Sequence, residues 1–184
     1  YRRGRKRYVS AAPLRETLAS LILAEASFTG YPVLFDPMCG SGTFSLEAAE
    51  TAAGMLPGTD REFPFMHWPA FRPAAFNHMV KKLAGEHVPA PWPEKIIAWD
   101  HDENAANTAL HNIREAGLSG RVTVDKKDFL LDTPSVPAGK PVLIVMNPPY
   151  GKRLDDGETE LLYGKIGGVI RQRYPDAGFA IIVP

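Results

Sequence analysis

The chain has 184 residues, 45% of them hydrophobic and 23% charged, and its 21 basic and 21 acidic residues leave no formal net charge. Length and composition predict one soluble globular domain, and the balanced charge excludes a surface that is basic throughout. The single cysteine, Cys39, excludes an internal disulfide bond and suits the cytoplasm, and the apolar runs are far shorter than the roughly 20 residues of a membrane span.

The first eight residues are strongly basic and include Arg2, Arg3, Arg5, Lys6 and Arg7. This segment could neutralise several phosphates if it lies along RNA or DNA, and a solvated linker is the alternative. No apolar core follows it, so a secretory leader is not expected. Together with the helix that follows, it forms an N-terminal region at residues 1–28.

Helix and strand signals alternate along the chain. A first helix is predicted from Pro13 to the stop at Gly30-Tyr31-Pro32, and its shared apolar face contains Leu14, Leu18, Leu21 and Ile22. Strands are predicted at 33–35, 95–99, 121–125, 142–146 and 179–183, and further helices at about 43–53, 103–115 and 160–173. This alternation predicts an α/β fold with a Rossmann-like, doubly wound, mostly parallel sheet.

Residues 54–93 interrupt this alternation with an insertion rich in proline and aromatic residues, in which a short helix is predicted near 74–83. Long loops in compact domains are usually functional or disordered, and the aromatic content argues against disorder. A packed flap over the sheet and a surface that meets the substrate both remain open.

The last predicted strand, 179–183, is apolar and precedes Pro184, while the chain starts at Tyr1 rather than at methionine. An apolar strand at an open sheet edge favours aggregation. We therefore expect residues 1–184 to be one domain of a longer protein, truncated after the fifth strand, with additional strands beyond that edge.

A glycine-containing loop, Asp36-Pro37-Met38-Cys39-Gly40-Ser41-Gly42, follows the first predicted strand. Gly40 and Gly42 permit a sharp turn and close approach of a ligand, and the helix that begins near Thr43 favours a carboxylate at its positive end. Asp36 can accept hydrogen bonds from an ammonium, so the loop fits a free amino acid. The spacing excludes a dinucleotide fingerprint, because its third glycine would fall at Ser45, and no P-loop lysine is present.

Two more strand ends carry acidic residues. Asp100 suits the hydroxyls of a ribose; its alternative role as a helix cap is better filled by Asp102. Asp128 and Phe129 could meet an adenine amino group and its ring, or could form a simple turn. The candidate cofactor-binding residues are Asp36, Met38, Gly40, Gly42, Thr43, Asp100, His101, Asp128 and Phe129.

The string Asn147-Pro148-Pro149-Tyr150 follows the strand at 142–146 and is the candidate catalytic corner. The prolines stiffen the turn, so the Asn147 side-chain oxygen and a proline-pair carbonyl can accept both hydrogens of an exocyclic amine. Two acceptors direct the nitrogen lone pair at an electrophile, and Tyr150 offers a face on which an extruded base can stack. These residues predict methylation of an amine by in-line displacement at a sulfonium methyl.

Cys39 could act as a nucleophile, as cytosine C5 methylation requires, but it lies in the glycine loop and is interpreted as a small packed residue. The five histidines show no metal-ligand spacing, so no metal is expected.

Four segments together resemble S-adenosylmethionine-dependent RNA methyltransferases that carry a THUMP domain, above all those that methylate the N2 amine of guanosine in bacterial large-subunit rRNA. They are Ala12 to Ala19, Asp36 to Thr43, Leu56-Pro57-Gly58 with Arg61 and Trp68, and Asn147 to Gly151. The resemblance implies the class I methyltransferase fold, an S-adenosylmethionine cofactor, an RNA substrate (rRNA before tRNA) and an upstream THUMP domain. It also implies that the glycine loop holds the methionine part of the cofactor, Asp100 the ribose, Asp128 the adenine, and residues 147–150 the target amine.

Three hypotheses therefore stand: an RNA guanine-N2 methyltransferase, an adenine-N6 DNA methyltransferase with the same corner, and a cofactor-binding module without catalysis.

Overall fold

The computed structural model describes residues 14–59, 61–87, 89–90, 93–133, 139–149 and 156–183. The helices and strands in chain order are α1 (Glu16–Glu25), β1 (Val33–Asp36), α2 (Thr43–Ala52), α3 (Pro73–Glu86), β2 (Lys95–Asp100), α4 (Glu103–Glu115), β3 (Val122–Lys126), β4 (Val142–Met146), α5 (Asp156–Arg173) and β5 (Gly178–Ile181). Short 3₁₀ turns lie at Phe28–Gly30 and Pro64–His67.

The five strands form one parallel sheet in the order β3-β2-β1-β4-β5. Phe35 on β1 lies opposite Ile97 on β2 and Ile144 on β4. The strand order reverses between β1 and β4, and at such a reversal the carboxyl ends of neighbouring strands open a crevice in which ligands bind. The predicted α/β class and parallel sheet are confirmed.

Alternate residues of the strands enter two separate core clusters, one on each face of the sheet. On β1, Leu34 packs in the cluster that contains residues of α1, α2 and α4, and Val33 and Phe35 pack in the cluster that contains Ile166 of α5. Because both faces are covered by helices, the central strands β1, β2 and β4 are nearly continuous apolar runs. The doubly wound arrangement follows from this layering.

The apolar face predicted for the first helix is only partly buried, since Leu14 and Ile22 pack against the core, and the helix ends earlier than predicted. Leu18 and Leu21 are 44% and 68% exposed, whereas Ala19 and Leu23 are buried. α1 packs against α2, which is rich in alanine, and a small residue such as Ala19 allows the two helices to approach closely. α1 ends at Glu25, and Ser27 then adopts a left-handed conformation (φ 51°) before the 3₁₀ turn.

The described middle of the insertion, at residues 64–67 and 73–86, lies at the surface. None of the residues of the 3₁₀ turn at Pro64–His67 or of α3 is buried, although α3 confirms the predicted short helix. Its phenylalanine rings instead pack against one another, with Phe65 at centroid distances of 5.4, 5.7 and 5.7 Å from Phe63, Phe71 and Phe76. The insertion thus has a small aromatic cluster of its own.

No helix in the described ranges combines the length and apolarity needed to cross a bilayer.

Candidate functional site

The glycine loop turns sharply between β1 and α2. Gly40 and Gly42 have φ angles of 55° and 79°, a conformation that residues with a Cβ adopt at a cost. A Cβ on Gly42 would also lie 3.1 Å from the Cβ of Ala109 on α4. Glycine at position 42 is therefore required both by the turn and by the close packing of α4 under the loop.

Asp100, at the end of β2, holds the loop through main-chain amides. Its Oδ2 accepts a hydrogen bond from the Gly40 amide at 2.9 Å, and its Oδ1 accepts one from the Asp102 amide at 3.0 Å. Asp102 in turn caps α4 by accepting a hydrogen bond from the amide of Asn104 at 2.7 Å. The prediction that Asp102, and not Asp100, caps this helix is confirmed. The Asp100 carboxylate, 11% exposed, is fixed at the mouth of the loop.

Sequence reasoning missed Asn112, which fixes the loop from the opposite side. This side chain on α4 is fully buried, and its Nδ2 donates to the carbonyl of Ser41 at 3.0 Å across 71 positions of sequence. The sequence does contain a hint of this role, because Asn112 lies with Ala109 and Ile113 on the apolar face of α4. A buried amide at such a position needs hydrogen-bond partners. α4 therefore acts as the template on which the loop is built.

Replacing Asn112 by leucine, which is close in size and cannot donate, is expected to lower the free energy of unfolding by about 1–3 kcal/mol, because the buried Ser41 carbonyl loses this donor. Chemical denaturation measures the change. Asn107→Leu on the exposed face of the same helix is the matched control and should change stability little. Equal effects of the two substitutions would contradict a specific role for Asn112.

Asp36, the last residue of β1, lies buried beneath the loop. Its Oδ2 accepts from the hydroxyl of Ser45 at 2.8 Å, a second contact that sequence reasoning missed, and its Oδ1 is buried with no hydrogen-bond partner among the described residues. Burial raises the pKa of Asp36 from its ordinary value of 3.8 to about 7, against the opposing effect of the Ser45 hydrogen bond. The site thus holds one carboxylate that is only partly ionised at neutral pH and could accept a cationic donor.

This raised pKa predicts a pH-dependent stability. Between about pH 4 and 7 the folded protein holds a proton on Asp36 that the unfolded chain releases, so the contribution of Asp36 to stability falls as pH rises, by about 4 kcal/mol at most. The neutral variant Asp36→Asn should gain stability relative to the unmodified chain from pH 4 to pH 8 in thermal or denaturant unfolding. Asp176→Asn at an exposed turn is the control, and a stability difference for Asp36→Asn that does not change with pH would refute the assignment.

Cys39 is buried below the loop, as the packing interpretation predicted. Its amide donates to the carbonyl of Trp99 at 2.8 Å. Burial first, and the nearby Asp36 and Asp100 carboxylates next, raise the pKa of the Cys39 thiol well above its usual range. The thiol is held neutral, which does not favour a nucleophilic role.

The Asn-Pro-Pro corner follows β4, the strand that pairs with β1 on the side away from β2. The side chain of Asn147 is half-buried, and its Oδ1 atom is fully buried with no hydrogen-bond partner among the described residues. Pro148 is buried, Pro149 is partly exposed, and Tyr150 lies outside the described residues. A buried acceptor without a partner at a strand end is costly in a folded protein and favours a ligand that donates to it.

The remaining candidate residues divide into two groups. Three of them lie in the loop or directly beside it. Met38 is half-buried in the loop, and Thr43 is the buried first residue of α2. His101 is exposed, and its Nδ1 lies 3.6 Å from Oδ1 of Asp100. Asp128 accepts from the Leu130 amide at 2.8 Å and forms a turn after β3. The ring of Phe129 is 1% exposed and stacks on Tyr174 within the core, which matches packing better than contact with a base.

Searching the described ranges finds no cluster of three or more histidine, cysteine or acidic side chains that could hold a metal ion.

Two sequence comparisons are informative. A family model described as an RMKL-like methyltransferase domain matches residues 3–184. The ribosomal RNA large subunit methyltransferase K/L of Methylococcus capsulatus is 35% identical over 182 residues, which cover 95% of this chain and 24% of that protein.

Solved structures give the same picture of the fold. SMU.472, provisionally described as a methyltransferase and complexed with SAH, aligns with a TM-score of 0.78 at 30% identity over 97% of this chain and 45% of that one. A Listeria monocytogenes protein described as a predicted N6-adenine-specific DNA methylase aligns with a TM-score of 0.76 at 29% identity, covering 97% and 46% of the two chains. The chain thus spans less than half the length of each of these relatives.

Proposed function

The chain belongs to the RMKL-like methyltransferase domain family, as its motifs predicted, and from that premise we propose that it transfers a methyl group from S-adenosylmethionine to the N2 amine of a guanosine in RNA. The sheet is the class I methyltransferase fold. The observation that carries the proposal is the buried, unpartnered Oδ1 of Asn147 at the end of the strand next to the glycine loop.

The loop fits the amino-acid part of S-adenosylmethionine. The unpartnered Oδ1 of Asp36 can accept from its ammonium group, and the amides at the start of α2 favour its carboxylate. Asp100, oriented by the amides of Gly40 and Asp102, has acceptor lone pairs left for the ribose hydroxyls. Met38, Thr43, His101 and Asp128 complete the proposed cofactor site, and Phe129 supports it from the core.

Asn147 positions the acceptor amine. Its Oδ1 and a carbonyl of the proline pair each accept one N–H of the amine, which turns the nitrogen lone pair toward the methyl carbon. Bound S-adenosylmethionine would supply an electrophilic sulfonium methyl group, with its neutral thioether as the leaving group and the proton of the methylated amine released to solvent. Catalysis is then mainly alignment of the two reactants.

The choice of acceptor rests on the relatives. The Methylococcus protein is named for large-subunit rRNA, which favours RNA over DNA and rRNA over tRNA, and the guanosine N2 position comes from the family that the motifs resemble. An upstream THUMP domain in the full-length protein is part of this proposal. Adenine-N6 methylation of DNA is the second candidate, because the Listeria protein described for that activity has nearly the same fold.

Transfer of tritium from labelled S-adenosylmethionine tests the proposal. The full-length protein is incubated with unmodified rRNA or DNA, and the nucleic acid is digested to nucleosides. We expect label in N2-methylguanosine. Label in N6-methyladenine from DNA would establish the second candidate instead, and no label despite measurable cofactor binding would indicate a module without catalysis.

A further inference from the structure

A second surface, which we call the aromatic insert (residues 63–85), stands apart from the site. The rings of Phe63 and Phe65 stack with centroids 5.4 Å apart, and Phe71 and Phe76 pack at 5.7 Å from Phe65 and from each other. These rings hold the segment together without burying any residue of α3. The insert therefore presents its surface independently of the sheet.

Large apolar side chains are exposed on this insert. Trp68 is 66% exposed, and Met79 and Leu83, one turn apart on α3, are 48% and 45% exposed. An exposed tryptophan offers a flat face on which a base can stack.

Between the flanking acidic residues Glu62 and Glu86, the charged side chains of the insert are basic. Residues 63–85 contain Arg72, Lys81 and Lys82 and no acidic residue, although the whole chain is neutral. The acidic residues on either side are engaged by the insert itself, since Glu62 lies 3.1 Å from Nε2 of His67 and Glu86 lies 3.9 Å from Nζ of Lys82. Arg72 and Lys81 are both exposed. Exposed cations and an exposed aromatic ring on one segment are the groups that bind a single-stranded polyanion.

The insert is attached at the edge of the sheet opposite the site. α2 begins at the glycine loop and runs away from it, and β2 begins at the far edge before it reaches Asp100. The two ends of the insertion meet there, because a Cβ on Gly54 would lie 3.2 Å from the nitrogen of Pro89 and 3.3 Å from the carbonyl of His87. A nucleic acid on this surface would thus be held away from the reacting base.

We propose that the aromatic insert is a docking surface for single-stranded RNA that flanks the target, with Trp68 stacking on a base and Arg72 and Lys81 contacting phosphates. This inference rests on the proposed function in taking RNA as the substrate. It adds a second contact region that contributes affinity for long RNA and leaves the chemical step unchanged.

Binding of a fluorescein-labelled 20-nucleotide oligouridylate to the 184-residue chain tests the proposal by anisotropy at several salt concentrations. We expect Trp68→Ala to weaken binding about tenfold, as loss of one stacked base predicts. The double variant Arg72→Gln with Lys81→Gln should lower the slope of log affinity against log salt by about 1.4, as loss of two phosphate contacts predicts. Arg114→Gln with Arg171→Gln, on exposed positions of α4 and α5, is the charge-matched control.

A second readout locates the contact at residue 68. Oligouridylate should quench tryptophan emission of the unmodified chain, and Trp68→Phe should lose most of the quenching while retaining most of the affinity, since phenylalanine still stacks. Unchanged affinity in both Trp68→Ala and the double variant would overturn the proposal. Cofactor binding and methyl transfer to rRNA are measured separately, so failure of the proposed reaction is distinguishable from failure of this surface.

Discussion

Replacing Asn147 by alanine is expected to lower the rate constant for methyl transfer by about 100-fold or more, while affinity for S-adenosylmethionine stays within about tenfold. The reason is that Oδ1 of Asn147, buried and without a partner in the described structure, is assigned to the acceptor amine in the transition state. The cofactor, by contrast, is proposed to bind to the loop after β1 and to Asp100 on β2. Single-turnover transfer kinetics and calorimetric titration of S-adenosylhomocysteine separate the two effects.

Two further variants sharpen this prediction. Asn147→Asp keeps an oxygen acceptor at the same point and should retain part of the activity that alanine loses. Asn107→Ala, an exposed asparagine on α4, should behave like the unmodified chain. Equal losses of transfer rate and cofactor affinity in Asn147→Ala would mean that this residue belongs to the cofactor site or to the fold.

Replacing Gly42 by alanine should have the second largest effect, a loss of both stability and cofactor affinity. At φ 79° the added Cβ costs about 1–2 kcal/mol. Its approach to 3.1 Å from the Cβ of Ala109 must in addition displace the loop or α4. Because Asp100 and Asn112 hold the same loop, that displacement also disturbs the hydrogen bonds at Gly40 and Ser41. We expect cofactor affinity to fall at least about tenfold, since the loss of alignment extends to the binding amides.

Gly117 provides a matched control for this substitution. It has φ 72° and no atom within 4 Å of the position that a Cβ would take. Gly117→Ala should therefore show the conformational cost alone, with unchanged cofactor affinity. Comparable effects of the two substitutions on affinity would contradict the proposed dependence of the loop on its contact with α4.

The centre of the sheet was predictable because β1, β2 and β4 are buried on both faces and are short, mostly apolar runs. Strands such as β4, whose five residues are all buried, leave no alternation to misinterpret. The buried face of α1 was not predictable from hydrophobicity. Leu18 is exposed and Ala19 is buried, although leucine is the more hydrophobic of the two. Close packing against α2 selects for small size there, and a single sequence does not reveal which helix is the neighbour.

The location of the candidate site was predictable, and its supporting contacts only in part. Asp36, Asp100 and Asn147 could be placed at one edge because each ends or directly follows a strand of a parallel sheet. Asn112 could not be paired with Ser41 from sequence, because the contact spans 71 positions and depends on how α4 lies under the loop. Phe129 directly follows Asp128 in sequence, and that its ring packs in the core was not evident from the sequence.

A crystal structure of the chain with S-adenosylhomocysteine tests the central claim most directly, because that claim is about which strand ends face each other across one ligand. We predict that the amino-acid part of the ligand contacts Asp36 and the loop at Gly40 to Gly42, that its ribose contacts Asp100, and that its sulfur faces Oδ1 of Asn147. Binding at another edge of the sheet, or an Asn147 side chain directed away from the sulfur with no room for a base between them, would contradict it.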